Sequence, residues 1–112
     1  VKELLVNKFF LDDNGFFVFT NFRPAFLLVK RRDGTTNWCI LDNKRDPDNV
    51  VNTRLFPNSS SADSVSSGNV SAVDFLSNGF KVRDSHADGN SSSGEYIYLA
   101  FAESPFKNSR AR

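Results

Sequence analysis

The sequence predicts an all-β fold, an antiparallel β-sandwich of seven to eight strands with jelly-roll-like or lectin-like connections. Short runs of Phe, Val, Ile and Leu recur along the chain and are separated by Asn, Asp, Gly, Ser and Pro, which is typical of short strands and turns. The chain has 112 residues, of which 39% are hydrophobic and twelve are Phe. This is enough for one core, so we expect a single domain over residues 1–112.

The first two elements are less regular than those that follow. Val1–Phe10 fits either a short amphipathic helix or a strand, and the residues alone leave both open. Asp12–Gly15 ends in Asn-Gly, a pair that tolerates the backbone conformation of tight hairpin turns. Phe16–Thr20 is therefore expected to be the return strand of a hairpin with the first segment.

A second hairpin is predicted around Asp33-Gly34, another strong turn signal. Its strands would be Ala25–Arg32 and Asn37–Asp42. Ala25–Arg32 begins with apolar residues on both faces, which indicates a strand in the centre of a sheet.

The middle of the chain is richer in polar residues. Asn43–Val51 is predicted to be a surface loop, and Thr53–Phe56 a short strand that Pro57 ends. Asn58–Asn69 is rich in Ser, and we expect a mobile loop outside any sheet.

A third hairpin is predicted from Val70–Leu76 and Phe80–Arg83, joined at Ser77-Asn78-Gly79. Asp84–Gly94 is a further Ser, Asn and Gly loop. Glu95–Glu103 alternates Tyr and Ala with Ile, Leu and Phe, so both of its faces are apolar, as in a central strand of a sandwich.

The core is expected to hold the largest apolar side chains of these strands. They are Phe26, Leu28, Trp38, Ile40, Phe80, Tyr98 and Phe101. If Trp38 lies in the core, Trp38→Ala should cost about 3–5 kcal/mol.

No catalytic residue is predicted. His86 is the only histidine and lies in a predicted loop, with no Gly-x-Ser-x-Gly motif to position a serine beside it. Cys39 lies within a strand without an evident base, which favours a packing role. Asp42 and Glu103 could in principle face each other as a glycosidase pair, but nothing in the sequence brings them together.

We expect no metal site and no cofactor. Two polar segments could offer oxygen ligands to Ca²⁺, but neither has the spacing of a calcium-binding loop, and turn formation explains the same residues. The residues are Asp42, Asn43, Asp46, Asp48 and Asn49 in the first segment and Asp84, Asp88 and Asn90 in the second.

Charge and hydropathy limit the classes of partner. The net charge of +1 gives no general attraction to nucleic acid, and the apolar runs are too short for a membrane-spanning helix. Lys30–Arg32 and Lys44-Arg45 form basic clusters at opposite ends of the second hairpin. They could be a solvated rim, or they could bind an anionic glycan or the carboxylates of another subunit.

The polar loops are the candidate contact surface, because binding residues are found disproportionately on loops of a rigid scaffold. The candidates are Lys44, Arg45, Asp46, Asp48, Asn49, Ser59, Ser60, Asp63, Asp84, His86, Asp88 and Asn90. An alternative function is a lectin-like module, in which Trp38 or Tyr96 would form an aromatic platform beside Asp42–Asn49 or Asp84–Asn90.

Four ordered blocks carry a resemblance to a known group of domains. They are Asn21–Arg31 (NFRPAFLLVKR), Asn37–Asp42 (NWCILD), Phe75–Arg83 (FLSNGFKVR) and Gly94–Lys107 (GEYIYLAFAESPFK). In this order they resemble a β-rich domain of unassigned role that recurs in tail and fibre-like structural proteins of tailed bacteriophages, often at their C-terminal end. The resemblance covers about residues 16–112 and includes no catalytic signature.

This resemblance implies a non-enzymatic virion component, associated with the tail or a tail fibre, that serves assembly or adsorption to a host surface. Its expected partners are other virion subunits, further copies of itself in a homo-oligomer such as a trimer, and a host-surface glycan. The chain opens with Val1 rather than Met, so we expect a processed chain or a module, C-terminal by the same resemblance, of a longer or multi-subunit assembly.

Overall fold

The computed structural model describes residues 3–8, 16–65, 72–83 and 94–102, with the backbone alone for residues 3–8 and 16. Within these ranges the chain is all-β and contains nine antiparallel strands, with no helix. The strands are β1 (Glu3–Lys8), β2 (Phe16–Phe19), β3 (Pro24–Arg31), β4 (Cys39–Asp42), β5 (Thr53–Arg54), β6 (Ser64–Val65), β7 (Val73–Leu76), β8 (Gly79–Val82) and β9 (Glu95–Ala102).

The strands form three sheets. The largest has the order β1-β9-β3-β4, the second has the order β2-β8-β7, and β5 and β6 pair as a third. Two isolated bridges connect these sheets: Ile40 of β4 pairs with Leu55, and Val51 pairs with Val73 of β7. The segment that includes β5 therefore joins one edge of the largest sheet to one edge of the second.

The first segment is a strand, and its expected hairpin with the second strand is wrong. β1 pairs with β9, with Leu4 opposite Leu99, whereas β2 pairs with β8, with Val18 opposite Phe80. The two strands belong to different sheets. Local turn chemistry at Asn14-Gly15 could not reveal this, because both pairings join segments far apart in the sequence.

The hairpins predicted around residues 33–34 and 77–79 are confirmed, as is the central position of β3. In the first, Leu28 of β3 lies opposite Ile40 of β4, and β9 pairs with the other edge of β3. In the second, Phe75 of β7 lies opposite Phe80 of β8. The expectation that Asn58–Asn69 lies outside any sheet is wrong, since β6 within this segment pairs with β5.

One hydrophobic cluster is built from both larger sheets. The largest sheet contributes alternate residues of β3, β4 and β9, and the second contributes alternate residues of β2, β7 and β8. Its buried members are Val18, Leu27, Val29, Cys39, Leu41, Val51, Val73, Phe75, Phe80, Val82, Tyr96, Tyr98 and Ala100. The rings of Phe80 and Tyr98 meet edge to face at 5.2 Å, which joins the two sheets at the centre of the cluster.

The expected core membership needs correction on one face of the largest sheet. Phe80 and Tyr98 lie in the core, each only 1% exposed. Phe26, Leu28, Ile40 and Phe101 are only half-buried and lie outside the core cluster. Side chains alternate between the faces of a strand, and here Leu27, Val29, Cys39 and Leu41 point into the core instead.

Trp38 is the clearest departure from the expected core. It is 37% exposed and precedes β4 rather than lying within it. Both faces of the β3–β4 hairpin carry apolar side chains, so residue type alone does not identify the face that packs on the second sheet.

Across the described residues, no helix is long and apolar enough to cross a membrane.

Candidate functional site

The loop after β4 is organised by the carboxylate of Asp42. Its Oδ1 accepts hydrogen bonds from the backbone N–H groups of Lys44 and Arg45 at 2.9 and 2.8 Å. Its Oδ2 accepts one from Nε of Arg45 at 2.9 Å and forms a salt bridge with the same guanidinium. The Asp42 side chain therefore stabilises a turn by accepting bonds from the backbone two and three residues later in the chain, which confirms the turn-forming interpretation of this residue.

Asp46 fixes the return of the same loop toward β5. Its Oδ2 accepts hydrogen bonds from the N–H groups of Asn52 and Thr53 at 3.0 and 2.6 Å, and its Oδ1 accepts one from the Thr53 hydroxyl at 2.9 Å. The carboxylates of Asp42 and Asp46 are thus engaged by the chain itself. They are structural acceptors here, which leaves them poorly placed as ligands of a cation.

Asn49 ties the loop to the second sheet. Its Nδ2 donates to the carbonyl of Phe75 at 2.9 Å, and its Oδ1 accepts from the N–H of Phe75 at 2.8 Å. The amide thus makes the same two bonds that a neighbouring strand would make. Two residues later, Val51 and Val73 exchange backbone hydrogen bonds of 2.8 and 3.0 Å. The loop therefore covers the edge of β7.

Arg45 connects two of the predicted contact loops. Besides Asp42, it approaches Asp63 at 3.7 Å, which joins the loop at 43–51 to the segment at 58–65. Of the other candidates nearby, Lys44, Asp48, Ser59 and Ser60 are exposed. Asp84, His86, Asp88 and Asn90 lie outside the described residues, as does Glu103.

The environment of Asp42 predicts that the stability of the fold depends on pH. Burial by itself would raise the pKa of Asp42, but the hydrogen bonds and charge of Arg45 outweigh it and hold the pKa below its usual value. A carboxyl whose pKa is lower in the folded state stabilises the fold above its unfolded pKa of about 3.9. That stabilisation is lost as the pH falls through the folded pKa.

Asp42→Asn should therefore be less stable than the unmodified chain at pH 7, and the difference should shrink as the pH approaches 3. Urea unfolding at several pH values measures it. Asp48→Asn is the control, because Asp48 is exposed, and it should follow the unmodified chain. A difference for Asp42→Asn that is constant from pH 7 to pH 3 would contradict this assignment.

The basic residues at the other end of the hairpin are held by their own chain. Arg31 pairs with Asp33 at 2.7 Å, and this hydrogen bond lowers the pKa of the Asp33 carboxyl. Arg32 pairs with Glu95 at the start of β9. Lys30 donates to the carbonyls of Arg31 and Gly34. All three cations are therefore engaged by groups of their own chain.

Trp38 lies at the surface in a segment fixed by amide groups. Its backbone N–H donates to Oδ1 of Asn58 at 3.1 Å, and Nδ2 of Asn58 donates to Oδ1 of Asn37 at 3.1 Å. All three residues are exposed. These hydrogen bonds hold the backbone at Trp38, which is 37% exposed. Tyr96, the other aromatic platform considered, is fully buried and cannot serve as one.

The largest sheet carries a second apolar surface, here called the outer face. It consists of Phe26, Leu28, Ile40, Ile97, Leu99 and Phe101. These six side chains alternate with the core residues of β3, β4 and β9, and all are half-buried. Phe26 and Phe101 contact each other edge to face at 5.4 Å. The outer face therefore points away from the second sheet.

The second sheet also exposes apolar side chains. Phe17 and Phe19 of β2 are 40% and 60% exposed, and their neighbour Val18 points into the core. Phe17 lies opposite Lys81 in the register of β2 and β8. The rings of Phe17 and Phe19 thus form a smaller apolar surface on β2, the edge strand of that sheet.

The described residues hold no group of three or more His, Cys, Asp or Glu side chains that could bind a metal ion. Cys39 is completely buried within the core cluster, which agrees with a packing role. The described surface includes an apolar sheet face, the exposed Trp38 beside Asn37 and Asn58, and ordered polar loops.

Sequence reasoning missed Asn37, Asn58 and the outer face. The two amides join segments 21 residues apart, and no local pattern reports such a contact. The outer face did have a signal, since β3 and β9 are apolar on both faces. The same pattern is typical of a central strand, so by itself it does not predict a sheet with two apolar surfaces.

The chain belongs to the family described as a domain of unknown function, DUF7483, whose model matches residues 11–105. No curated protein and no solved structure matches the chain.

Proposed function

We propose that this chain is a non-enzymatic structural domain of a bacteriophage virion, associated with the tail or a tail fibre, that serves assembly or adsorption to the host surface. The observation that carries the proposal is that polar side chains of the described residues form hydrogen bonds to the chain's own backbone. Asp42, Asp46 and Asn49 bind the chain's own backbone, while apolar side chains are offered to the outside. The four sequence blocks that resemble phage tail domains support the location.

We also propose that the two larger sheets form a β-sandwich with jelly-roll-like or lectin-like connections. The shared cluster, in which Phe80 of the second sheet meets Tyr98 of the largest, supports this arrangement. A sandwich closed on one side by the ordered loop at 43–52 is a rigid scaffold for loops.

The test of the virion role is to locate the chain. Antibodies against the purified domain, used in electron microscopy of intact particles, should label the tail or its appendages, and mass spectrometry of purified virions should detect the chain. Its absence from particles would overturn the proposal. Competition then separates the two roles: a domain that slows phage adsorption to host cells acts in attachment, and one that does not acts in assembly.

A second candidate function is glycan binding in its own right, which the exposed Trp38 beside Asn37 and Asn58 favours. Trp38→Ala should lower affinity for a host glycan at least tenfold, because it removes the accessible indole. Asn58→Ala, which removes the contacts that fix the segment, should weaken binding by a smaller factor.

Titration calorimetry or a glycan array with the same domain measures this effect. Phe19→Ala is the control, since it removes an exposed aromatic ring elsewhere, and it should bind as the unmodified chain does. If no glycan shifts the fluorescence of Trp38, the sole tryptophan, or if Trp38→Ala binds normally, this second candidate is wrong.

A further inference from the structure

We propose that Asn49 keeps the edge of β7 closed to strands of other molecules. An open edge strand presents unpaired N–H and C=O groups, to which another chain can add. β7 is an edge strand of the second sheet, and its sequence, VDFL, contains the β-branched and aromatic residues that favour strand pairing. The inference goes beyond the proposed virion role and does not depend on it.

The backbone groups on the open side of β7 are those of Val73 and Phe75. In an antiparallel ladder, successive residues direct their N–H and C=O groups alternately toward the two neighbouring strands. The carbonyl of Ala72 accepts a hydrogen bond from the N–H of Arg83, which follows β8, so the groups of Ala72 face β8. Those of Val73, and by the same alternation those of Phe75, therefore face away from β8.

Residues 49–51 run along this edge in register with β7. Val51 pairs with Val73 as in an antiparallel strand. A strand that continued this pairing would place Asn49 opposite Phe75, since two residues back along one strand match two residues forward along the other. At this position the side chain of Asn49, and not its backbone, makes both bonds to Phe75. Asn49 thus takes the place of the next paired residue without continuing a strand.

The outward side of this covering segment is closed by Asp46. Asn52 follows Val51, so by the same alternation its N–H points away from β7. That N–H donates to Oδ2 of Asp46, which also accepts from the N–H of Thr53. A side chain offers no further row of N–H and C=O groups, so neither Asn49 nor Asp46 extends the ladder to another strand. At this edge the second sheet therefore ends in side chains.

The burial of the two bonded residues shows what the amide protects. Phe75 is completely buried, whereas Asn49 is exposed. The side chain of Asn49 therefore separates the backbone of Phe75 from the surroundings of the molecule. Without that amide, the N–H and C=O of Phe75 would lose the partners that the described residues give them. Unpaired buried backbone groups are costly, so a strand from another molecule that paired with them would be favoured.

Amide hydrogen exchange of the purified 112-residue chain, followed by NMR, tests the cover directly. In the unmodified chain the N–H groups of Val73 and Phe75 should both exchange slowly. In Asn49→Ala at low concentration, the Phe75 N–H should exchange about tenfold faster, because its hydrogen bond is lost. The Val73 N–H, which bonds to the backbone of Val51, should change less. A Phe75 N–H that exchanges freely in the unmodified chain would overturn the proposal without any variant.

Sedimentation velocity tests the consequence for association. Asn49→Ala should form larger species than the unmodified chain as its concentration rises to about 100 µM, a range in which open strand edges associate. The Phe75 N–H should then exchange slowly again, because an added strand bonds to it. A folded Asn49→Ala that keeps the mass of the unmodified chain would overturn the proposal. Association that leaves the Phe75 N–H fast would also overturn it, because the contact would lie elsewhere.

The matched control is Asn49→Asp, at the same position. Its carboxylate can accept from the N–H of Phe75 but cannot donate to the carbonyl, so this variant also loses stability. It places a charge at the edge, which opposes the addition of a strand, and it should keep the mass of the unmodified chain. Equal association of the two variants would show that lost stability, and not an open edge, is the cause, and the proposal would be wrong. Because these tests use the isolated chain and the virion test uses particles, either proposal can fail alone.

Discussion

Replacement of Phe80 with alanine is expected to lower the free energy of unfolding by about 3–5 kcal/mol. Phe80 is 1% exposed and meets Tyr98 edge to face at 5.2 Å, so its removal leaves a cavity between the two larger sheets. The loss combines the transfer free energy of the ring, the cavity and the aromatic contact. Urea unfolding followed by circular dichroism measures it.

Phe19→Ala is the matched control, because it removes the same ring from a site that is 60% exposed. Its expected cost is less than about 1 kcal/mol. Equal losses for the two variants would mean that the cluster shared by the sheets does not hold them together. The comparison thus tests the packing of the second sheet on the largest one, which any sandwich arrangement requires.

The parts of the fold that the sequence predicted are those set by neighbouring residues. The β3–β4 and β7–β8 hairpins join strands within a few residues of each other, and turn residues between apolar runs were enough to place them. The pairing of β1 with β9 closes a loop of about ninety residues, so no local signal could predict it. No local signal predicts the pairing of β2 with β8 either, because Phe19 and Gly79, which lie opposite each other, are 60 residues apart.

The candidate site was less predictable for two physical reasons. In β3, the residues on both faces are apolar, so hydrophobicity could not distinguish Leu27 and Val29, which are buried, from Phe26 and Leu28, which are not. In the loops, Asn49 bonds to Phe75 across 26 residues, and its sequence context indicates only a polar turn. Position in the fold, rather than residue type, decides these roles.

Gly79 illustrates how a correct prediction can rest on the wrong reason. The pair Asn78-Gly79 predicted a turn that needs a glycine with positive φ, yet Gly79 lies within β8 and its φ is outside the positive, left-handed range. Among the non-glycine residues that the structure describes, it is Asn21 that has a positive φ, of 66°. A Cβ on Gly79 would instead meet the carbonyl oxygen of Val18 at far less than 3.0 Å and the ring of Phe17 at 3.0 Å. The glycine permits β2 to approach β8 closely.

Gly79→Ala is therefore expected to cost about 3 kcal/mol or more, because a backbone atom of β2 must move and the buried side chain of Val18 moves with it. Gly34→Ala is the matched control. Its Cβ would meet only the flexible side chain of Arg31, at 2.9 Å from Nε, so a change within about 1 kcal/mol is expected. Urea unfolding of both variants measures the difference. Similar stability for the two would show that β2 does not lie against Gly79, and would remove β2 from the second sheet.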